Sequence, residues 1–188
     1  MIRILVLCAM LFQASPQTAL KPLIDNDRVT VWDVTGRTTA QPFDSLVVSL
    51  SGIAAFLPKG TMPKVAADSN AERSIVIDLK NHPVAPIANT TGYPLAFPRP
   101  GSKKILENGR VIVWDYTWTP RVPTPMHFHD KDVVVVFLED GDLSSTVPDG
   151  KVTTNSYTSG TVRFNPRDRT HTETLVRGKQ HAIITELK

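Results

Sequence analysis

An internal repeat is the feature that most constrains how this chain can fold. Residues 21–33 read KPLIDNDRVTVWD, and residues 103–115 read KKILENGRVIVWD. The ends of the two copies also correspond, because residues 74–80 read SIVIDLK and residues 182–188 read AIITELK. A repeated sequence unit predicts a repeated structural unit, so the two copies are expected to share one arrangement of elements.

The repeat divides the chain into a shorter half at residues 21–80 and a longer half at residues 103–188. We therefore expect the first half to have lost part of its middle. Residues 81–102 join the halves, and this segment contains five prolines. Proline blocks helix interiors and central strands, so the segment is predicted to be an extended connector on the surface.

Short stretches rich in Val, Ile, Thr and Trp predict an all-β fold of the sandwich or barrel type. One stretch, VVVVFL at residues 133–138, is apolar on both faces. Its outer face therefore needs a cover, either from the first half or from a second subunit in a homodimer. The predicted strands lie at residues 28–34, 110–118, 133–138, 143–147, 152–157, 161–164, 172–177 and 182–187.

The N-terminus resembles a secretory signal peptide. Arg3 supplies a positive charge, and residues 4–12 form a continuous apolar run that is too short to span a bilayer as a helix. Residues 1–20 are therefore predicted to be removed, which makes the mature protein periplasmic or secreted, with no membrane insertion after cleavage. The one cysteine, Cys8, would leave with this segment.

The charge pattern argues against a nucleic-acid partner. The chain has 21 Lys and Arg against 18 Asp and Glu, for a net charge of +3. No run of five basic residues occurs, whereas a nucleic-acid-binding surface normally has a basic stripe. The expected partner is a small-molecule ligand.

Histidines are the residues that point to chemistry. His127 and His129 are separated by one residue, and alternate residues of a strand face the same side. Two imidazoles on one strand can converge on one metal ion. Further along the chain, residues 160–171 read GTVRFNPRDRTH and end in another histidine.

This second stretch resembles the second motif of the cupin superfamily. That motif is a glycine, five residues, Pro-x-Gly, two residues and a histidine. Gly160, Pro166 and His171 stand at the required positions, whereas Asp168 replaces the middle glycine.

The first cupin motif is matched in part. It is a glycine, five residues, His-x-His, three or four residues, a glutamate, six residues and a glycine. His127, His129 and Gly141 match, but Arg121 occupies the first glycine position. Counted back from Gly141, the position of the metal-binding glutamate falls on Val134.

The resemblance implies a jelly-roll barrel, the double-stranded β-helix of the cupins, in the second half. The first half then corresponds to a truncated, degenerate cupin in a tandem chain. Residues 21–80 contain no histidine, so the first half cannot form the same site. The resemblance also implies a metal centre of His127, His129 and His171, with Val134 lining the pocket where the glutamate is missing.

Three neutral imidazoles with open positions can hold Fe(II), Zn, Ni, Mn or Cu. We favour Fe(II), because the cupin-like cysteine dioxygenases are similar in using three histidines around iron. Asp132 and Glu173 are candidates for supporting the ligands from behind or for replacing the glutamate. Glu173 follows His171 by two residues, so it is expected to line the pocket, either at the metal or paired with an arginine at the rim.

Two functions remain open at this point. One is a dioxygenase-like or other oxidoreductase acting on a small molecule. The other is a non-catalytic cupin that binds a small ligand, with a structural metal or none.

Arg163 alternates with Val162 and Phe164 and is expected to face solvent if those two fill the core.

Overall fold

The computed structural model describes residues 21–35, 42–61 and 73–188. The predicted signal peptide lies outside these residues. The described residues form strands and no helix, which confirms the predicted all-β class. Among them there is accordingly no helix that could cross a membrane. The strands are β1 (Ile24–Asp25), β2 (Val29–Thr35), β3 (Asp44–Ser49), β4 (Ala54–Leu57), β5 (Arg73–Leu79), β6 (Ser102–Glu107), β7 (Val111–Thr117), β8 (His127–His129), β9 (Val133–Phe137), β10 (Gly141–Thr146), β11 (Val152–Tyr157), β12 (Val162–Asn165), β13 (Arg169–Gly178) and β14 (His181–Leu187).

The second half folds into two antiparallel sheets. The histidine sheet has the order β11-β10-β13-β8, and the middle sheet has the order β12-β9-β14-β7-β6. Apolar side chains of both sheets pack in one core, in which Leu143 and Leu175 of the histidine sheet meet Trp114, Val133 and Ile184 of the middle sheet. Two facing antiparallel sheets of this kind are the predicted jelly roll.

The first half folds into a single sheet with the order β1-β2-β5-β3-β4. This first-half sheet matches the order β6-β7-β14-β9-β12 of the middle sheet strand for strand, so the sequence repeat is a repeat of one sheet. Its buried polar pairs repeat too. Trp32 Nε1 donates to Asp78 at 2.8 Å, and Trp114 Nε1 donates to Glu186 at 2.8 Å.

The first-half sheet covers the outer face of the middle sheet. Val31 and Ile77 of the first half pack in a common core with Val113, Val134 and Ile183 of the second half. The cover that the doubly apolar strand β9 requires is therefore supplied by the first half of the same chain. Because Val134 is fully buried in this core, it faces away from the pocket that it was predicted to line.

Ion pairs cross between the halves in a reciprocal way. Arg28 of the first half donates to Asp132 of the second half at 3.0 Å, and both side chains are about nine-tenths buried. Arg110, the repeat counterpart of Arg28, donates to Asp44 of the first half at 2.9 Å, in a more exposed position. The two copies of the repeat thus bind each other through equivalent arginines.

The proline-rich connector lies only partly on the surface. Phe128 N donates to Pro94 O and Ala96 N donates to Phe128 O, both at 2.8 Å, so this stretch runs beside β8. The chain then brings Phe97 and Arg99 into the barrel of the second half, where both are buried. The expectation of a surface segment is therefore wrong for Ala96, Phe97 and Arg99, which are buried.

Candidate metal centre

The structure brings the three predicted histidines together. His127 and His129 lie on β8, and His171 lies opposite His127 on the neighbouring strand β13. One ring nitrogen from each imidazole falls within 4.8 Å of the others, and all three side chains are buried. Pairing of β8 with β13 is what joins residues that are 42 positions apart in the sequence.

The spacing of two of these nitrogens suits a shared ion. His129 Nε2 and His171 Nε2 are 3.2 Å apart. Two imidazole nitrogens that each bind a metal at about 2.0–2.1 Å lie roughly 3.0–3.4 Å apart in common geometries. This pair therefore fits a metal ion without rearrangement.

Backbone and hydroxyl contacts orient two of the rings. His127 Nδ1 donates to Pro125 O at 2.8 Å, which leaves Nε2 as the acceptor nitrogen. His171 Nδ1 contacts the Ser145 hydroxyl at 3.2 Å. His129 Nδ1 is buried and has no hydrogen-bond partner within the described residues. Such contacts on the outer nitrogen fix the tautomer and the direction of a metal-binding imidazole.

Arg99 enters this site and was missed by the sequence analysis. Its NH1 lies 2.8 Å from His127 Nε2, and its NH2 donates to Glu173 at 3.2 Å. The guanidinium also stacks over the Tyr116 ring, 4.2 Å from the centroid. No periodicity marks Arg99 in the proline-rich segment, so the sequence offered no signal for its position. In this structure Arg99 engages the third imidazole of the predicted metal centre.

The imidazoles are held in the neutral state that a metal requires. Burial lowers the pKa of His127 to about 3, and the nearby positive charge of Arg99 acts in the same direction. Burial is also the main cause that lowers the pKa of His129 and of His171. All three rings are therefore uncharged near pH 7, and their nitrogens are available as ligands.

Glu173 lines the pocket on the same face of β13 as His171, as expected. Its carboxylate accepts from Arg99 NH2 and from Trp118 Nε1, each at 3.2 Å. Burial alone raises the pKa of Glu173, but His171 and Arg99 outweigh this effect and hold the pKa below its ordinary value. The carboxylate is thus a charged partner of an arginine, one of the two alternatives given above.

Asp132 does not support the histidines. One carboxylate oxygen accepts from Arg28, and the other accepts from the backbone N–H of Arg167 at 2.9 Å. Both oxygens therefore serve the contact between the halves and the turn before β13. The prediction that Asp132 assists the metal ligands is corrected accordingly.

A cavity of about 180 Å³ opens beside the histidines. Val133 lines it, and Val134 does not, because successive residues of a strand face opposite sides. Arg163 also lines this cavity, and it is itself exposed to solvent, as expected. Its neighbours Val162 and Phe164 pack against the core between the middle sheet and the first-half sheet instead.

Backbone geometry supports the alignment with the cupin motifs. Arg121 and Asp168, which replace motif glycines, have φ angles of 63° and 65° and are the two non-glycine residues with positive φ in the described ranges. Gly160 also has a positive φ, at 84°. A Cβ on Gly141 would lie 2.5 Å from Lys179 O. Three of these positions have a positive φ, and Gly141 has no room for a Cβ. Glycine meets both requirements.

Arg121→Gly is expected to stabilise the protein by about 0.5–1 kcal/mol, because a left-handed conformation strains most L-residues. The gain is limited by the greater freedom of glycine in the unfolded chain. Urea unfolding of the variant measures this change. Lys103→Gly, on strand β6, is the control and should destabilise. A loss of stability in Arg121→Gly would show that the conformation carries no strain.

Comparison with known proteins finds likeness in solved structures only. No family model and no curated protein matches the sequence. A cupin domain from Bordetella pertussis Tohama I is 27% identical, with a TM-score of 0.43, over 48% of this chain and 97% of that chain. A cupin 2 conserved barrel domain protein from Leptotrichia buccalis is 9% identical, with a TM-score of 0.43, over 95% and 92%. The polyketide cyclase RemF from Streptomyces resistomycificus is 22% identical, with a TM-score of 0.38, over 55% and 80%.

The site and the fold define a β-barrel with a candidate three-histidine metal centre. The facing sheets, the clustered histidines and the four glycine-like motif positions are features of the chain itself. In these features the chain resembles the cupin superfamily. The tandem arrangement of two cupins stays a prediction, since the first half has one sheet within the described residues.

Proposed function

We propose that the protein is a metal-dependent cupin that acts on a small molecule, with His127, His129 and His171 as ligands of one divalent transition metal. The convergence of three neutral imidazoles within 4.8 Å, beside a polar cavity, carries this proposal. Fe(II) is the metal we favour, because the cupin-like cysteine dioxygenases are similar in using three histidines around iron, with positions open for substrate and oxygen.

Each residue around the histidines has a role that does not depend on the identity of the substrate. Pro125 O and the Ser145 hydroxyl orient His127 and His171. Trp118 and Arg99 hold the Glu173 carboxylate against the cavity. A bound metal with open positions would supply Lewis-acid or redox chemistry at this wall of the cavity.

Arg99 bears directly on metal binding, because it uses the lone pair of His127 Nε2. Arg99→Met is expected to raise the affinity for Zn²⁺ or Fe(II) roughly tenfold or more, since it removes a competing hydrogen bond and a positive charge near a cation. Titration against a fluorescent chelator measures this. Arg110→Met, at the contact between the halves, should leave the affinity unchanged. A weaker affinity in Arg99→Met would mean that Arg99 supports the metal centre.

A non-catalytic ligand-binding cupin is the second candidate. It is favoured by Arg99, which completes the hydrogen bonding of His127 without a metal, and by the lack of a carboxylate ligand, since Val134 at the motif position faces away and the cavity-facing neighbour Val133 is apolar. Nitric oxide added to the Fe(II)-loaded protein separates the candidates. An open site gives the electron paramagnetic resonance signal of an iron nitrosyl, as the oxidoreductase proposal predicts. A closed structural site gives none.

A further inference from the structure

The cavity beside the histidines carries an excess of positive charge. Three arginines line it, Arg99, Arg163 and Arg169, against the single carboxylate of Glu173. A cavity with this imbalance attracts anions and disfavours cations.

Glu173 does not neutralise the whole excess. Its carboxylate forms the ion pair with Arg99 and accepts from Trp118 as well. No carboxylate within residues 21–35, 42–61 and 73–188 forms an ion pair with Arg163 or Arg169. Two guanidinium groups on the cavity wall are therefore left for a ligand.

The strands place these two arginines on different sheets. Arg169 begins β13 opposite His129, and it alternates with His171 and Glu173 along the cavity face of that strand. Its Nε donates to Pro166 O at 2.8 Å, which fixes one edge of the guanidinium. Arg163 lies on β12 of the middle sheet and stacks near the Tyr157 ring, 5.9 Å from the centroid.

The two charges act on each other and on their surroundings. Burial lowers the pKa of Arg169, the negative charge of Glu173 opposes this, and the positive charge of Arg163 lowers it further. Holding two like charges at one cavity is unfavourable unless an anion joins them. A planar guanidinium binds carboxylates through two parallel hydrogen bonds.

We propose that Arg163 and Arg169 bind the carboxylate of a small organic anion, with its apolar body in the cavity beside the three histidines. This inference rests on the function proposed above and names its substrate class. The volume of about 180 Å³ limits the ligand to a small molecule. Phe137, Trp118 and Val135 form an apolar part of the wall, which an organic body would contact and inorganic phosphate would not.

Paired probes test the charge requirement. Thermal shift and calorimetric titration compare pyruvate, isovalerate and benzoate with their neutral amides, and with inorganic phosphate. Both metal-free and metal-loaded protein are used. We expect at least one carboxylate to bind the metal-free protein at least tenfold more tightly than its amide. Equal binding of acids and amides, binding by phosphate alone, or binding by none of the carboxylates would overturn the proposal.

Variants test whether the arginines are responsible. Arg169→Gln and, separately, the more exposed Arg163→Gln should each weaken carboxylate binding roughly tenfold or more, because a charge-assisted pair is lost. Arg177→Gln removes an exposed arginine of β13 that pairs with Asp142 and should change nothing. Unchanged carboxylate binding in both cavity variants would overturn the assignment.

The two proposals can fail separately. Carboxylate binding in a protein that retains no metal would leave the anion site intact and contradict the metal centre. Metal binding without any preference for carboxylates would contradict the anion site alone. Carboxylate binding that requires metal and ignores both arginine variants would place the ligand on the metal and overturn the role of Arg163 and Arg169.

Discussion

Replacing His129 with alanine is expected to lower the affinity for a divalent transition metal by more than about 100-fold. Groups that merely support a ligand change affinity by roughly 10–100-fold, so the loss of a ligand itself should exceed that range. His129 is one of the two histidines whose Nε2 atoms lie 3.2 Å apart, the spacing that suits a shared ion. Competition with a chelator of known affinity gives the change directly.

His82→Ala is the matched control for this experiment. His82 is exposed and lies outside the cluster, so its replacement removes an imidazole without touching the site. Circular dichroism should show the same strand content in both variants. Metal affinity that falls equally in both, or that persists in His129→Ala, would exclude the three-histidine centre.

Asp132→Ala is expected to destabilise the protein by about 3 kcal/mol, because it leaves the buried guanidinium of Arg28 without its charged partner. The Arg28 contact with Lys188 O remains and keeps the effect near the lower end of the range for such pairs. Metal affinity should stay within about twofold of the wild type, since Asp132 contacts Arg28 and the Arg167 backbone. Urea unfolding and chelator competition on the same samples separate the two effects.

The repeat supplies the control for Asp132. Asp44 forms the equivalent bridge with Arg110, but both side chains are more than a quarter exposed. Exposed pairs contribute at most about 1 kcal/mol, so Asp44→Ala should destabilise much less. An Asp132→Ala protein of normal stability that loses its metal would restore Asp132 to the metal centre.

Local patterns were sufficient for most strands of the second half and for the shared face of His127 and His129, whereas His171 was placed by the resemblance to the second cupin motif. The strand at residues 152–157 was predicted with the bounds observed for β11. His127 and His129 share a face because side chains alternate along a strand, and this rule needs no tertiary information. The repeat of residues 21–33 at 103–115 likewise predicted a repeated structural unit. That unit is a five-stranded sheet, which occurs once in each half with the same strand order.

The predicted direction of the Val134 side chain was wrong for a physical reason. VVVVF in β9 is apolar at every position, so the sequence does not indicate which residues face the cavity. The structure has apolar cores on both sides of the middle sheet. Val134 and Phe164 therefore fill the core against the first half, while Val133 and Arg163 face the cavity.

The contacts of Asp132 and Arg99 could not be predicted from local pattern. Arg28 and Asp132 are 104 positions apart, and Arg99 and Glu173 are 74 apart. Such pairs depend on how sheets and connectors pack, which periodicity does not specify. Arg99 also follows a proline in a segment whose composition predicted surface exposure.

The metal content of the untagged protein tests the central proposal most directly. The protein is exposed to excess Fe(II) without oxygen, freed of unbound metal and analysed by inductively coupled plasma mass spectrometry. One metal per chain is expected, because the second half alone has the three histidines and residues 21–80 contain none. A protein that retains no metal, or that retains two metals per chain, would contradict a single centre at His127, His129 and His171.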